Sequence, residues 1–174
     1  VTDTKKFVLP ILGETPSYAV NWEGANITAV YGDDNTALAA GGEVKKGTVV
    51  KFTVVLPANK LISSVKVNGE ALANTAYVTT FSVTVNAVSN VVVNYVEYTP
   101  IKVADFIAKT KGNTLYAITG YIGASSATAD EEGSFVVIDE TGAAFSYNKV
   151  VGLALGDYVT VYGTRAENFS FPQV

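Results

Sequence analysis

Ser134-Phe135-Val136-Val137-Ile138-Asp139-Glu140-Thr141-Gly142-Ala143-Ala144-Phe145-Ser146-Tyr147 decides the fold class. β-Branched and aromatic side chains, which suit a pleated half-buried surface, fill residues 135–138 of a strand predicted at 134–138, and aromatic ones recur in a second at 143–147. Between the two runs stands a polar corner, Asp139 to Gly142, with the residue types of a turn. In the second run Ala144 and Ser146 share one face while Phe145 and Tyr147 share the other, the period-two alternation of a strand. Asp139 is expected to accept backbone N–H bonds and so fix the Thr141-Gly142 corner.

The same signal extends in both directions. Strands are predicted at 115–122 and 158–162, with a short last strand around 172–174, and residues 152–156 form a short helical or irregular crossing. Helical spacing occurs once, where Val103, Ala104, Phe106, Ile107 and Ala108 recur within 101–109, with Asp105 early and Lys109 and Lys111 late, as the helix dipole favours. Thr99-Pro100 marks a boundary. Before it, strands are expected at 18–22, 27–31, 48–56, 62–67, 78–85 and 91–98, with Asn68-Gly69 supplying a tight hairpin turn. Residues 1–16 hold two prolines and no clean period and read as an extended lead-in.

Composition agrees with a mainly β chain of one or two domains. Fifty-four Val, Thr and Ile residues stand against nine Leu in 174 residues. Without His, Cys or Met, the chain holds no cysteine nucleophile, His general base, disulfide, haem ligand or ordinary zinc site, so no cofactor and no metal are expected. Twelve basic residues, of which only Arg165 is arginine, face sixteen acidic ones, and residues 99–174 carry a net −3. Nucleic acid is therefore a disfavoured partner, because phosphate neutralisation needs clustered Lys and Arg. No apolar run has the length of a membrane helix, so no membrane-spanning segment is expected. Val1 opens the sequence without an initiator Met or a leader, and the expectation is that a natural N-terminus has been removed.

Several spaced motifs in residues 101–174 carry a resemblance. They are Val103-Ala104-Asp105-Phe106-Ile107, Tyr116 with Gly120, 135–138, Asp139-Glu140-Thr141-Gly142, Gly156-Asp157-Tyr158-Val159-Thr160-Val161-Tyr162-Gly163 and Pro172-Gln173-Val174. In this pattern the segment resembles the OB-fold domain common in exported proteins of Bacteroidetes. Such domains continue past Pro-Gln-Val, so the resemblance implies a last strand that is clipped or contributed otherwise. Residues 17–98, through 44–50, Pro57, Val65-Lys66-Val67-Asn68-Gly69-Glu70 and 91–95, resemble the β-rich repeat modules of bacterial surface proteins, including divergent internalin-type repeats. Together these imply an N-terminal β-sandwich or grasp-like repeat module followed by a C-terminal OB-fold barrel with one short helix.

Candidate chemistry is sparse. Asp130-Glu131-Glu132 sits in a small-residue loop and Asp139-Glu140 in a turn, where solvated or turn-fixing roles outweigh a catalytic carboxylate pair. Gly32-Asp33-Asp34-Asn35 lacks the ordered spacing of a calcium loop and reads as a turn. Strand parity is more informative: Ile118 and Ile122 point inward and turn Thr119 and Tyr121 outward, while inward Val159 and Val161 leave Tyr158, Thr160 and Tyr162 outside. Small barrels of this type bind oligonucleotides or oligosaccharides on the face of their second and third strands. Tyr121, Phe145 and Tyr147 are accordingly the candidate ligand-binding residues, as a stacking platform, with packing against a neighbouring module as the competing role. Trp22, on one strand face with Tyr18 and Val20, is expected in the core.

The expected function is a non-enzymatic binding, adhesion or scaffold module of a cell-surface or secreted protein, lipid-anchored to the outer membrane or released, contacting a surface glycan or an outer-membrane protein. Two alternatives stand beside it: single-stranded nucleic-acid binding through the OB fold, and a role as accessory domains of a larger secreted hydrolase.

Overall fold

The computed structural model describes residues 13–168 and 171–173 and is mainly β, with one short helix among the described residues. The chain divides into two compact units, residues 13–56 with 62–94 and residues 57–61 with 95–173. The seam lies at Asn94 and Tyr95, a few residues before the Thr99-Pro100 boundary read from the sequence. Of the lead-in, residues 1–12 lie outside the described residues. Pro16 already accepts a bond from the Lys46 amide at 2.8 Å.

Nine strands arise in or cross the N-terminal unit: β1 (Ser17–Trp22), β2 (Ile27–Tyr31), β3 (Ala37–Leu38), β4 (Gly42–Lys45), β5 (Val49–Val54), β6 (Lys60–Val67), β7 (Glu70–Leu72), β8 (Thr80–Thr84) and β9 (Ser89–Glu97). They form two sheets, β4-β1-β9-β6-β7 and β3-β2-β5-β8. Alternation fixes what each strand buries. In β5 Val50, Phe52 and Val54 turn inward, and Phe52 stacks on Phe81 of β8 at 5.1 Å. Trp22 meets the Phe52 ring edge-on at 5.5 Å and donates its indole N–H to the Ile27 carbonyl at 3.2 Å, so its polar edge is satisfied within the unit. Asn68 and Gly69 take φ values of 52° and 89°, the two left-handed residues that a tight hairpin between β6 and β7 requires. Asp34 accepts the Thr36 amide at 2.8 Å, a turn bond that holds its carboxyl below the usual range.

The C-terminal unit contains β10 (Thr99–Pro100), α1 (Val103–Ile107), β11 (Leu115–Ser125), β12 (Gly133–Asp139), β13 (Gly142–Val150), β14 (Tyr158–Thr164), β15 (Ala166–Asn168) and β16 (Phe171–Gln173). Its strands follow the order β10-β11-β12-β13-β16-β15, with β14 pairing β11 on that strand's other side. β13 and β16 are parallel. The expected barrel is not what the ladder forms: among the described residues no sheet closes on itself. The two ends of the path, β14 and β15, are consecutive in the chain but separated at Arg165, where the strand is interrupted.

The helix is also shorter than its apolar spacing predicts. It stops at Ile107, with Ala108 as its C-cap, so Lys109 and Lys111 lie beyond its last turn and do not complement its dipole. Five residues give too few internal hydrogen bonds to hold a helix alone. What holds α1 is burial of Val103 and Phe106 against Ile118, Val137 and Ala144 from β11, β12 and β13.

Two glycines shape the sheet that carries the candidate site. Gly123 is the extra residue of a bulge in β11, since Ile122 pairs with Val137 and Ala124 with Val136. The bulge resets parity, so exposed Ala124 follows exposed Tyr121 on the same face. Gly120 is buried where the β12 backbone comes close, and a Cβ there would run into the Ile138 carbonyl. Gly120→Ala is therefore expected to cost ~1–3 kcal/mol through overpacking, read as a lower thermal midpoint of the C-terminal unit. An unchanged midpoint would mean that β12 yields at no cost.

Candidate functional site

The outward face of β11 is built by cross-strand pairing. Tyr121 lies opposite Tyr158 of β14, and Thr119 lies opposite Thr160. The two tyrosine rings stand 4.9 Å apart, tilted by 57°, and remain 53% and 67% exposed, so the pair keeps aromatic surface facing solvent. The Thr119 and Thr160 hydroxyls are 3.0 Å apart and bonded to each other. Tyr162, also read as outward, keeps less of its surface open: its ring packs edge-on against Tyr98 at 5.0 Å and it is 39% exposed. Burial, then the neighbouring Tyr98, pushes its hydroxyl pKa up.

A groove of about 480 Å³ opens over the tyrosine pair, walled by Thr119, Ile138, Lys102 and the Asp139-Glu140 corner. This volume lies in the range of small-ligand clefts. Lys102 reaches across to Glu140, Nζ to Oε1 2.6 Å, and both side chains are more than half exposed. The hydrogen bond to Glu140 raises the Lys102 pKa, and the same bond lowers that of Glu140.

Asp139 has a different task. Its Oδ1 accepts the Thr141 amide at 2.7 Å, the Thr141 hydroxyl at 2.5 Å and the Gly142 amide at 3.2 Å, which fixes the corner as the sequence led us to expect. Its Oδ2 accepts the Val103 amide at 3.1 Å, and Thr141 Oγ1 accepts the Ala104 amide at 3.0 Å. These amides open α1 and have no intrahelical acceptor. Lys102 at the N-cap makes no side-chain cap bond, so a turn between β12 and β13 caps a helix more than thirty residues earlier in the chain.

The three candidate residues sort into two places. Tyr121 lies in the groove with Tyr158. Phe145 and Tyr147 form an edge-on pair of their own, 5.1 Å between ring centres, on β13. Phe145 pairs with Val136 on β12, and β12 in turn lies between β13 and β11, so two strand spacings of ~4.8 Å each separate this pair from Tyr121. Phe145 is half-buried and Tyr147 is 60% exposed. The buried partners on the other face, Ala144 and Ser146, follow the predicted alternation. Sequence reasoning placed Tyr158 outward but left it out of the site, because its neighbour across the ladder depends on β11 pairing with β14. Lys102 and Glu140 were passed over as a helix start and a solvated turn.

Among the described residues no group of three or more Asp or Glu side chains converges as a metal site, and no helix is long and apolar enough to cross a membrane. No family model, curated protein or solved structure matches this chain.

Proposed function

We propose that this chain is a non-enzymatic glycan-contact module of an exported, cell-surface protein, with the groove over Tyr121 and Tyr158 as its contact site. The single observation that carries the reading is that tyrosine pair: two adjacent, solvent-facing rings at the floor of a groove whose rim carries an ammonium, a carboxylate and hydroxyls. Aromatic rings take up the C–H faces of sugars while charged and hydroxyl groups exchange hydrogen bonds with their hydroxyls. Glu140 is bonded to Lys102 and Asp139 to four donors, arrangements that favour holding a ligand over transferring protons to it. The OB-type reading of residues 101–174 draws support from the sheet order, in which β13 passes over β14 and β15 to pair with β16, a Greek-key-like crossing suited to a partly open barrel.

The test is binding of the intact chain to an array of neutral and acidic glycans, repeated with Tyr121→Ala and Tyr158→Ala. Each variant is expected to weaken binding by about tenfold or more, since removing a stacking face costs ~1–3 kcal/mol. Retained binding in both variants removes this groove from the account. Binding of labelled oligonucleotides that collapses with added salt would favour the nucleic-acid alternative instead.

A further inference from the structure

The groove does not end at Lys102. A second hollow of about 390 Å³ lies beyond it, walled by Pro100, Ile101, Asp105 and Ala117, and it shares Lys102 and Thr119 with the first. Lys102, held by Glu140, is therefore a sill between two adjoining hollows, both bordered by β11. Phe145 and Tyr147 wall neither. The path open to a ligand longer than one ring runs along β11 toward the start of α1, not across β12 to the second aromatic pair.

Charge narrows the ligand further. The charged groups walling the two hollows are one cation, Lys102, and three carboxylates, Asp105, Asp139 and Glu140. The cation is already matched by Glu140 at 2.6 Å. A uronate or sulfate placed here would face Asp105 with no uncommitted cation among the described walls, and like charges at close range repel. Sugar hydroxyls meet the opposite situation. The Lys102 ammonium has three donors, of which Glu140 takes one, and the exposed Asp105 carboxylate accepts hydroxyl protons.

Resting on the glycan reading above, we infer that the ligand is an uncharged oligosaccharide of more than one ring, laid along β11 from the Tyr121–Tyr158 pair past Lys102 to Asp105, and that acidic glycans are rejected. The deciding experiment is calorimetric titration of the intact chain with gluco-, manno- and xylo-configured disaccharides and hexasaccharides, and with polygalacturonate. At least one neutral hexasaccharide is expected to bind about tenfold or more tighter than its disaccharide. Asp105→Ala should erase that difference and leave the disaccharide affinity in place, Asp105→Asn, which keeps one acceptor oxygen, should fall between wild type and alanine, and Tyr121→Ala should weaken both lengths. Asp105→Lys should admit polygalacturonate. Equal affinity for the two lengths, or polygalacturonate bound as tightly as the best neutral chain, overturns the inference while the glycan reading stands. Failure of every saccharide to bind defeats that reading and the inference together.

Discussion

Replacing Asp139 by alanine is expected to lower the stability of the C-terminal unit by ~2–4 kcal/mol, measured as a shift of the urea midpoint followed on amide resonances of β11 to β14. A helix cap lost to alanine costs roughly 0.5–2 kcal/mol, and a partly buried donor left without an acceptor adds ~1–3 kcal/mol. Here one carboxylate serves three amides and a hydroxyl in two elements, so the loss falls on α1 and on the β12–β13 corner at once. On the glycan reading proposed above, the variant is also expected to bind saccharide more weakly, because Asp139 walls the groove and its corner positions Glu140. Burial draws the Asp139 carboxyl upward, but the bonds from Thr141, Val103 and Gly142 outweigh it and set its pKa below the ordinary value. The sign follows directly: this stabilisation is complete above the unfolded carboxyl pKa near ~4 and is lost as the pH falls through the lower folded value. Asp139→Asn keeps one acceptor oxygen and removes the charge. It should fall between wild type and alanine, and its stability should no longer carry the Asp139 contribution to the acid slope. An acid slope unchanged in Asp139→Asn would show that other carboxylates govern it.

How much of this was legible in the sequence depends on whether a feature is local. The strand at 143–147 could be read because alternation of Ala144 and Ser146 with Phe145 and Tyr147 is a property of five consecutive residues, and burial follows it. The hairpin at Asn68-Gly69 was legible for the same reason: positive φ is a demand on those two residues alone. The length of α1 was not, because its apolar spacing runs on to Ala108 while its end is set by tertiary packing. Two-residue strands such as β3 and β10 carry no periodic signal, and exist only because a neighbouring strand offers bonds. The site divides in the same way. Parity turned Tyr121 and Tyr158 outward, but their meeting at 4.9 Å depends on strands more than thirty residues apart being paired in one register. The remote cap of α1 by Asp139 and Thr141 has the same character, and a rule that looks for a cap just before the helix finds only Lys102 there.

Arg165→Ala is expected to destabilise the C-terminal unit by ~2–4 kcal/mol. Arg165 is the sole arginine, only 5% exposed, and it stands at the break between β14 and β15. Its guanidinium donates to the Ala166 carbonyl, to the Ile107 carbonyl at 3.5 Å and to Glu167 Oε1 at 3.3 Å. Ile107 is the last residue of α1, so the positive charge lies where helix carbonyls point outward unpaired. One side chain thus joins the end of the helix to the strand interruption, while the Arg165 carbonyl accepts the Gly112 amide at 3.2 Å from the loop between α1 and β11. Truncation leaves the Ala166 and Ile107 carbonyls short of a donor and opens a void, whereas the Glu167 carboxylate, about half exposed, stays solvated. Two further variants separate these effects. Arg165→Met restores most of the volume without donors, so whatever it fails to recover belongs to the hydrogen bonds. Arg165→Lys restores charge but not the planar fork needed to reach three acceptors in different directions, and should recover only part of the loss. If methionine is as stable as arginine, the guanidinium bonds add nothing net, and packing alone explains why a buried cation stands at the one point where the ladder opens.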